Sequence, residues 1–256
     1  MGPVRRRLRR SSPENHRTGV LRNVGPRQAV YRPSARATLP RTLTFLEATV
    51  TIPSLRSLVV RLLLNRLRTA RSVARLAYRW YRKRPALIDR RGTLSYAQLQ
   101  DRVLRLQAWM QAQGARKGDI VFTWLPETGE QYEARLATFE NGTVFASFHK
   151  HLPAEAALST IERVRPAIFI HDPLLSAPIL PAVRERLPGL RLLALGSEYE
   201  QALAAHAPAA GIGALHEDDM LALHMTSGTT GLPKAVGYSN RKYLDSMRLI
   251  SQAIDF

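Results

Sequence analysis

From Pro85 onward, short apolar segments alternate with longer amphipathic segments, and this order limits the fold more than any other feature of the chain. The run Ile120–Trp124 is typical of a strand buried on both faces. The segments between the strands are long enough for helices, so right-handed crossovers should join the strands. We therefore predict an α/β fold, a mostly parallel sheet with helices on both faces. The other predicted strands are residues 144–148, 167–170, 190–195 and 221–225.

Local signals mark where the predicted helices begin and end. Ser95 and Gln98, three residues apart, form a capping box that starts a helix. Gly114 ends that helix, and Asn141-Gly142 ends the helix predicted over residues 131–140. Further helices are predicted from Pro153 and over residues 180–187. The buried face of the first helix should consist of Leu99, Val103, Leu106 and Met110.

Charge is distributed very unevenly along the chain. Residues 1–84 contain 21 of the 38 Lys and Arg residues and only two acids, whereas residues 85–256 contain 17 basic residues and 18 acids. The first segment therefore has a net charge of +19 and the second a net charge of −1. A folded surface that binds duplex DNA needs an excess of Lys and Arg. We expect no nucleic-acid binding by the folded part of the chain.

Residues 1–50 are rich in Arg, Pro and Ser and have no helical or strand periodicity, which predicts a disordered basic tail. An organellar transit peptide and a short RNA-binding arm are the two functional alternatives. The tail lacks the interleaved aromatic residues with which an RNA-binding arm stacks bases.

Residues 51–84 are predicted to contain a basic amphipathic helix, most clearly over residues 54–84. Its apolar stripe could contact an anionic membrane surface, or it could pack on the folded domain. No apolar run reaches the roughly 20 residues of a membrane-spanning helix. We expect a cytoplasmic protein, peripheral to the membrane if the first alternative holds. The apolar line is Leu55, Leu62, Val73 and Trp80, and the opposite side carries Arg61, Arg68, Arg75, Arg79 and Arg82.

The chain contains no cysteine, so disulfides, thiolate catalysis and cysteine-ligated zinc are excluded. His149 and His151 could begin a metal site, but no third ligand follows at a useful spacing, so we predict no metal residues. His224 is interpreted as a packed residue of a buried strand. Three aromatic residues are also assigned to the core, namely Trp109, Trp124 and Tyr132.

A glycine-rich segment follows the apolar run 221–225 directly. Gly228 and Gly231 permit sharp turns that point several backbone N–H groups at one phosphate. Hydroxyl donors surround them, and Lys234 adds a positive charge. The segment is not the common P-loop, because Lys234 lacks the following Ser or Thr that binds magnesium. An ordinary turn is the alternative. The complete segment is Thr226, Ser227, Gly228, Thr229, Thr230, Gly231, Leu232, Pro233 and Lys234.

This segment resembles the signature of the adenylate-forming superfamily, which includes acyl-CoA synthetases, luciferases and peptide-synthetase adenylation domains. The order of segments over residues 85–256, about two thirds of the chain, is also similar to the N-terminal region of these enzymes. The resemblance implies that ATP, with Mg²⁺, activates a carboxylic acid as an acyl-adenylate, and that a thiol such as CoA then displaces AMP. It implies that ATP phosphates bind Thr226, Ser227, Gly228, Thr229, Thr230, Gly231 and Lys234. The basic helix favours a fatty or other aliphatic acid.

The chain also departs from the family pattern. Ser239-Asn240 replaces the usual Thr-His after the lysine, which predicts a changed residue near the acyl pocket. The magnesium-binding glutamate, ribose-binding aspartate and late lysine of the family would follow Phe256, so no catalytic residue is assigned. We expect an incomplete N-terminal portion of an acid–thiol ligase, inactive alone and prone to aggregate through its open sheet edge. The alternative is a non-catalytic nucleotide-binding or membrane-surface module.

Overall fold

Six strands form one sheet in the part of the chain that this computed structural model describes, residues 62, 65–149, 151–226 and 234–253. Parallel pairing joins five neighbouring strands, and the sixth is an antiparallel edge strand. In chain order, the strands of this sheet are β3 (Ile120–Trp124), β4 (Val144–Ser147), β5 (Ile168–His171), β6 (Arg191–Ala194), β7 (Met220–Thr226) and β8 (Lys234–Ser239). Their spatial order is β6-β5-β3-β4-β7-β8. This architecture confirms the predicted α/β fold with a mostly parallel sheet.

Helices cover both faces of the sheet, as predicted. Side chains of β3 alternate between the two faces, with Val121 in one buried cluster and Phe122 in the other. Burial of each such side chain contributes about 1.5–3 kcal/mol. The helices are α1 (Ala70–Trp80), α2 (Tyr96–Ala112), α3 (Gly129–Asn141), α4 (Ala154–Val164), α5 (Pro173–Ser176), α6 (Leu180–Arg186), α7 (Ser197–Ala204) and α8 (Asn240–Ala253). One cluster includes α2, α3 and α7, and the other includes α4 and α6.

A hairpin of β1 (Pro85–Asp89) and β2 (Gly92–Ser95) leads into α2. The predicted capping box is present: Ser95 Oγ accepts from the Gln98 N–H at 3.3 Å, and Gln98 Oε1 accepts from the Ser95 N–H at 2.8 Å. The predicted apolar face of α2 is confirmed, because all four of its residues are buried. The helix ends at Ala112, two residues before Gly114, which has a positive φ of 86°.

A buried ion-pair network ties the hairpin to α2, α3 and α7. Its centre is Glu133 on α3, whose side chain is fully buried. The Glu133 carboxylate accepts from Arg91 at 3.0 Å, from Arg102 at 2.9 and 3.1 Å, and from the Tyr199 hydroxyl at 2.9 Å. Burial alone would lower the pKa of Arg102, but its hydrogen bonds to Glu200 and Glu133 raise it above the usual value. These contacts fix the orientation of α3.

The end of α3 follows the sequence signal closely. Gly142 adopts the left-handed conformation (φ 68°, ψ 16°), and its N–H donates to the carbonyl of Thr138. A Cβ at this position would lie 2.7 Å from Leu215 Cδ2 and 3.0 Å from Ile212 Cδ1. Glycine is therefore required by the backbone conformation and by the available space.

The basic helix predicted over residues 54–84 does not continue through Thr69. This residue has an extended backbone (φ −138°, ψ 151°), and its side chain accepts from the Ser72 N–H, so α1 begins at Ala70. The buried residues of α1 are Ala70, Ala74 and Tyr78, whereas Trp80, predicted on the apolar line, is 50% exposed. Packing on the domain therefore describes α1 better than membrane contact does.

Parts of the sequence prediction fall outside the described residues. The predicted tail, residues 1–50, and most of the predicted apolar stripe over residues 51–64 lie outside the described residues. Within the described residues, no helix is sufficiently long and apolar to cross a membrane. Of the aromatic residues assigned to the core, Trp109 and Trp124 are buried, but Tyr132 is 46% exposed and its assignment was wrong.

Candidate functional site

The two ends of the glycine-rich segment meet at the edge of the sheet. Thr226 is the last residue of β7, and Lys234, the first of β8, lies opposite it in the antiparallel ladder. Lys234 is exposed. Residues 227–233 lie outside the described residues, so the phosphate-binding roles of Ser227, Gly228, Thr229, Thr230 and Gly231 stay predictions. The structure describes the two paired ends of the segment, Thr226 and Lys234, which we call the stem, and their position in the fold.

The stem lies at the edge of the sheet at which open α/β sheets bind their ligands. The chain passes from β3 to β4 on one side and then returns to β5 on the other side of β3, so the direction of winding reverses at this point. Ligands of such sheets bind beyond the carboxyl ends of the strands, typically at this reversal. The reversal lies between β3 and β5, and β7 is separated from β3 by β4, so the stem shares the carboxyl edge with the reversal but does not lie at it. β7 runs parallel to β4, with Phe145 paired to Ala222 and Ala146 to Leu223. The carboxyl end of β7, Thr226, is therefore at the same edge as the carboxyl end of β4.

A cavity of about 260 Å³ opens beside this edge, among β4, β7, α3 and α8. Three of its residues, Leu223, His224 and Met225, directly precede Thr226, which makes the cavity continuous with the stem. Its walls combine aromatic and polar side chains. They are formed by Glu127, Gln131, Arg135, Phe139, Phe145, Ser147, Phe148, His149, Ala222, Leu223, His224, Met225 and Tyr243.

His224 differs from its sequence interpretation as a packed strand residue. It is exposed, it lines the cavity, and its ring centroid lies 4.6 Å from that of Tyr238 on β8. The interpretation was wrong because the described residues around His224, among them Tyr238, leave much of its side chain uncovered. Partial burial lowers the pKa of His224 below its usual value, and the positive charge of Arg135 lowers it further. The imidazole is therefore predominantly neutral near pH 7.

Arg135 was not identified from the sequence. It lies on α3 between Gln131 and Phe139, which are spaced four residues to either side, are buried and also line the cavity. Its guanidinium carbon lies 4.8 Å from the centroid of the Phe145 ring. The available signal was a charged residue in the middle of a buried helical face, where an apolar residue is expected.

The two neighbouring histidines do not form a metal site with other described residues. His149 and His151 are exposed, and their ring centroids lie 5.3 Å apart. Both histidines lie after the end of β4 at Ser147, outside the strand. Across the described ranges, no group of three His, Cys, Asp or Glu side chains could hold a metal ion. No Mg²⁺ ligand can be assigned from these residues.

Asn240 is not among the residues that line this cavity, and the predicted proximity of Ser239-Asn240 to an acyl pocket stays a prediction. It lies at the opposite end of the β7–β8 ladder, where Met220 pairs with Ser239. Asn240 is 1% exposed; its Oδ1 accepts from the Ala70 N–H at 2.9 Å, and its Nδ2 donates to the His216 and Asp219 carbonyls at 3.3 Å. The side chain connects α1, the turn before β7 and the start of α8.

Comparison with known proteins assigns this chain to a family. Residues 74–255 match the family described as AMP-binding enzyme. A component of the linear gramicidin synthase of Brevibacillus parabrevis is 26% identical over 174 residues, which are 67% of this chain and 3% of that protein. The 3-oxocholest-4-en-26-oate–CoA ligase of Rhodococcus rhodochrous is 28% identical over 186 residues, 68% of this chain and 33% of that protein.

A solved structure shows the same fold. The anthranilate CoA ligase AuaEII, crystallised in complex with anthranoyl-AMP, superposes with a TM-score of 0.64 at 16% identity. The superposition covers 68% of this chain and 34% of that one. This chain thus spans about a third or less of the length of each of the three proteins.

Proposed function

Because the chain belongs to the family of AMP-binding enzymes, the adenylate-forming superfamily, we propose that it provides the ATP-phosphate site of an enzyme that activates a carboxylic acid. The family implies ATP and a carboxylic acid as substrates. We further propose that the acid is activated as an acyl-adenylate and that its acyl group is then transferred to CoA. The CoA ligase among the relatives supports transfer to CoA, whereas the gramicidin synthase among them makes another thiol acceptor an alternative.

One observation carries the proposal: Thr226 and Lys234 close the stem of the glycine-rich segment at the carboxyl edge of the sheet. The backbone N–H groups of a loop held at both ends can converge on phosphate oxygens. Lys234, exposed at the start of β8, is placed to offset phosphate charge. In the proposed site, the phosphates contact Thr226, Ser227, Gly228, Thr229, Thr230, Gly231 and Lys234.

The proposed reaction has two steps. A carboxylate oxygen of the acid attacks the α-phosphorus of ATP, and the bond to the bridging oxygen of the β-phosphate breaks, giving an acyl-adenylate and pyrophosphate. The thiol of CoA then attacks the acyl carbon, a thioester forms, AMP leaves, and the thiol proton is released. This chain contributes to the first step by positioning the leaving pyrophosphate and by neutralising its charge.

Mg²⁺ and CoA belong to the proposal without assigned residues. Mg²⁺ would neutralise phosphate charge when bound. The described residues do not provide a cluster of ligands for it, so no step is assigned to the ion. The aliphatic acid predicted from the basic helix also has no matching feature here. The described cavity is small, and four of its walls are the aromatic rings of Phe139, Phe145, Phe148 and Tyr243.

The proposal is tested by acid-dependent exchange of labelled pyrophosphate into ATP, using the full chain and a panel of aromatic, aliphatic and amino acids. Any acid that supports exchange identifies the substrate class, and Lys234→Ala should reduce that exchange at least about tenfold. Lys242→Ala, which replaces an exposed lysine on α8, is the matched control. Exchange that is equal in the Lys234→Ala variant and in the wild type would contradict the proposal. ATP binding without exchange would place the catalytic groups outside this chain.

A further inference from the structure

The cavity beside the stem contains a guanidinium group whose interactions leave its positive charge uncompensated. Arg135 is half-buried on α3, and its described side-chain contact is the Phe145 ring, 4.8 Å from the guanidinium carbon. Within the described ranges, no carboxylate lies at ion-pair distance from Arg135. Arg91, Arg102 and Arg75, by contrast, each pair with a carboxylate of α3.

The surroundings of Arg135 suit an anion. Glu127 is the one acid among the described wall residues, and it does not pair with Arg135. His224 and His149 line the same cavity, and both can donate a hydrogen bond from a ring nitrogen. A partly desolvated charge without a partner binds an oxyanion more strongly than a solvated surface arginine does. The Phe145 ring restricts the guanidinium on one side, which reduces the entropy lost when a ligand binds.

We propose that Arg135 is an anion anchor that binds an oxyanion group of a substrate in this cavity, next to the phosphate-binding stem. Guanidinium matches the planar, two-oxygen geometry of a carboxylate, or two oxygens of a phosphate, through paired N–H donors. The aromatic walls formed by Phe139, Phe145 and Tyr243 can enclose a flat group attached to that oxyanion. This inference deepens the proposed function and rests on it, because both substrates of that reaction carry oxyanions.

The two sources of the oxyanion, the carboxylic acid and the phosphates of ATP, are separated by two probes. Benzoate carries a carboxylate on an aromatic ring, and pyrophosphate carries phosphate oxygens alone. Each is titrated into the full chain while the imidazole signals of His224 and His149 are followed by nuclear magnetic resonance. The His224→Gln variant identifies the His224 signal.

Three variants test the anchor. Arg135→Met removes the charge and keeps an unbranched side chain against Phe145, and Arg135→Lys keeps the charge without the paired donors. Arg90→Met removes an exposed arginine from the turn between β1 and β2 and is the matched control. Circular dichroism of each variant reports whether it is folded. If Arg135→Met is unfolded, the comparison of Arg135→Lys with the wild type decides.

We expect saturable binding of at least one probe, with a dissociation constant raised about tenfold or more in Arg135→Met and less in Arg135→Lys. If the Arg135 variants lose affinity for benzoate alone, Arg135 binds the carboxylate of the acid. If they lose affinity for pyrophosphate alone, Arg135 binds the phosphates of ATP. Equal binding in the wild type and the Arg135 variants overturns the inference, as does the absence of saturable binding to the wild type. The effect of Lys234→Ala on ATP is independent of these results, so failure of the anchor and failure of the proposed function are distinguishable.

Discussion

Thr226 and Lys234 are paired across the ladder of β7 and β8, and they are the last pair before the glycine-rich segment. Seven residues therefore connect two neighbouring strands at the carboxyl edge of the sheet. This pairing places the two ends of a segment of phosphate-binding composition beside a cavity that contains Arg135 and His224. The proposed function follows from that juxtaposition.

The buried carboxylate of Glu133 should be important for stability. Glu133→Gln preserves the shape of the side chain but removes the charge that compensates Arg91 and Arg102. Breaking a buried ion pair on one side typically costs about 3–5 kcal/mol. We expect the variant to lose at least about 2 kcal/mol in urea unfolding followed by tryptophan fluorescence. Glu198→Gln, which replaces an exposed acid on α7, is the control, and similar stabilities of the two variants would contradict the network's role.

Gly142 should not tolerate a side chain. In Gly142→Ala, the left-handed backbone costs about 1–2 kcal/mol, and the new Cβ lies 2.7 Å from Leu215 Cδ2, which adds to this cost. Gly189→Ala is the matched control, because a Cβ there has no neighbour within 4 Å. Urea unfolding should therefore show a clear loss for Gly142→Ala alone. Equal midpoints for the two variants would show that Gly142 is not constrained in this way.

Acid should destabilise the fold. Hydrogen bonds from Arg102 hold the pKa of Glu200 below its usual 4.5, and those from Arg91 hold the pKa of Asp89 below its usual 3.8. Because both values are lower in the folded state, these groups stabilise the protein above the usual values, and that stabilisation is lost as the pH falls below them. Unfolding free energy should fall between about pH 5 and pH 3, less steeply in Glu200→Gln. If the unfolding free energy falls with pH equally steeply in the wild type and in Glu200→Gln, Glu200 does not contribute to this acid sensitivity.

The charge of Arg135 should be detectable at His224. Burial lowers the pKa of His224 below 6.5, and Arg135 lowers it further. Arg135→Met should therefore raise the pKa of His224, and the value should stay below 6.5 because burial remains. Tyr238, Glu127 and His149 also face this region, and the substitution leaves these three residues in place. A nuclear magnetic resonance titration measures the change, and a pKa equal to that in Arg90→Met would show that Arg135 does not act on His224.

Local signals were sufficient to predict most of the fold. The capping box of Ser95 and Gln98, the strand Ile120–Trp124 and the helix end at Gly142 each depend on a few neighbouring residues, and each was confirmed. Helix α7 was missed because it begins after Gly196, which provides no capping side chain. The continuous helix over residues 54–84 was wrong because the apolar spacing continued across Thr69, which starts a new helix.

The candidate site could be predicted only in part. The composition of the glycine-rich segment identified its two ends, Thr226 and Lys234, but not their direct pairing. Exposure of His224 depends on which elements pack over its face of β7, and the buried role of Asn240 depends on Ala70, 170 residues earlier. Such contacts between distant residues leave no local pattern. Arg135 likewise acquires its significance only when α3 is packed beside β4 and β7.

The most direct test of the central claim is the affinity of the full chain for ATP, measured by isothermal titration calorimetry. Lys234→Ala removes the charge at the stem of the proposed phosphate loop, and Lys242→Ala removes a comparable exposed charge from α8. The claim predicts saturable binding that is weakened about tenfold or more by Lys234→Ala and is unchanged by Lys242→Ala. No binding by the wild-type chain, or equal affinities for the two variants, would contradict it.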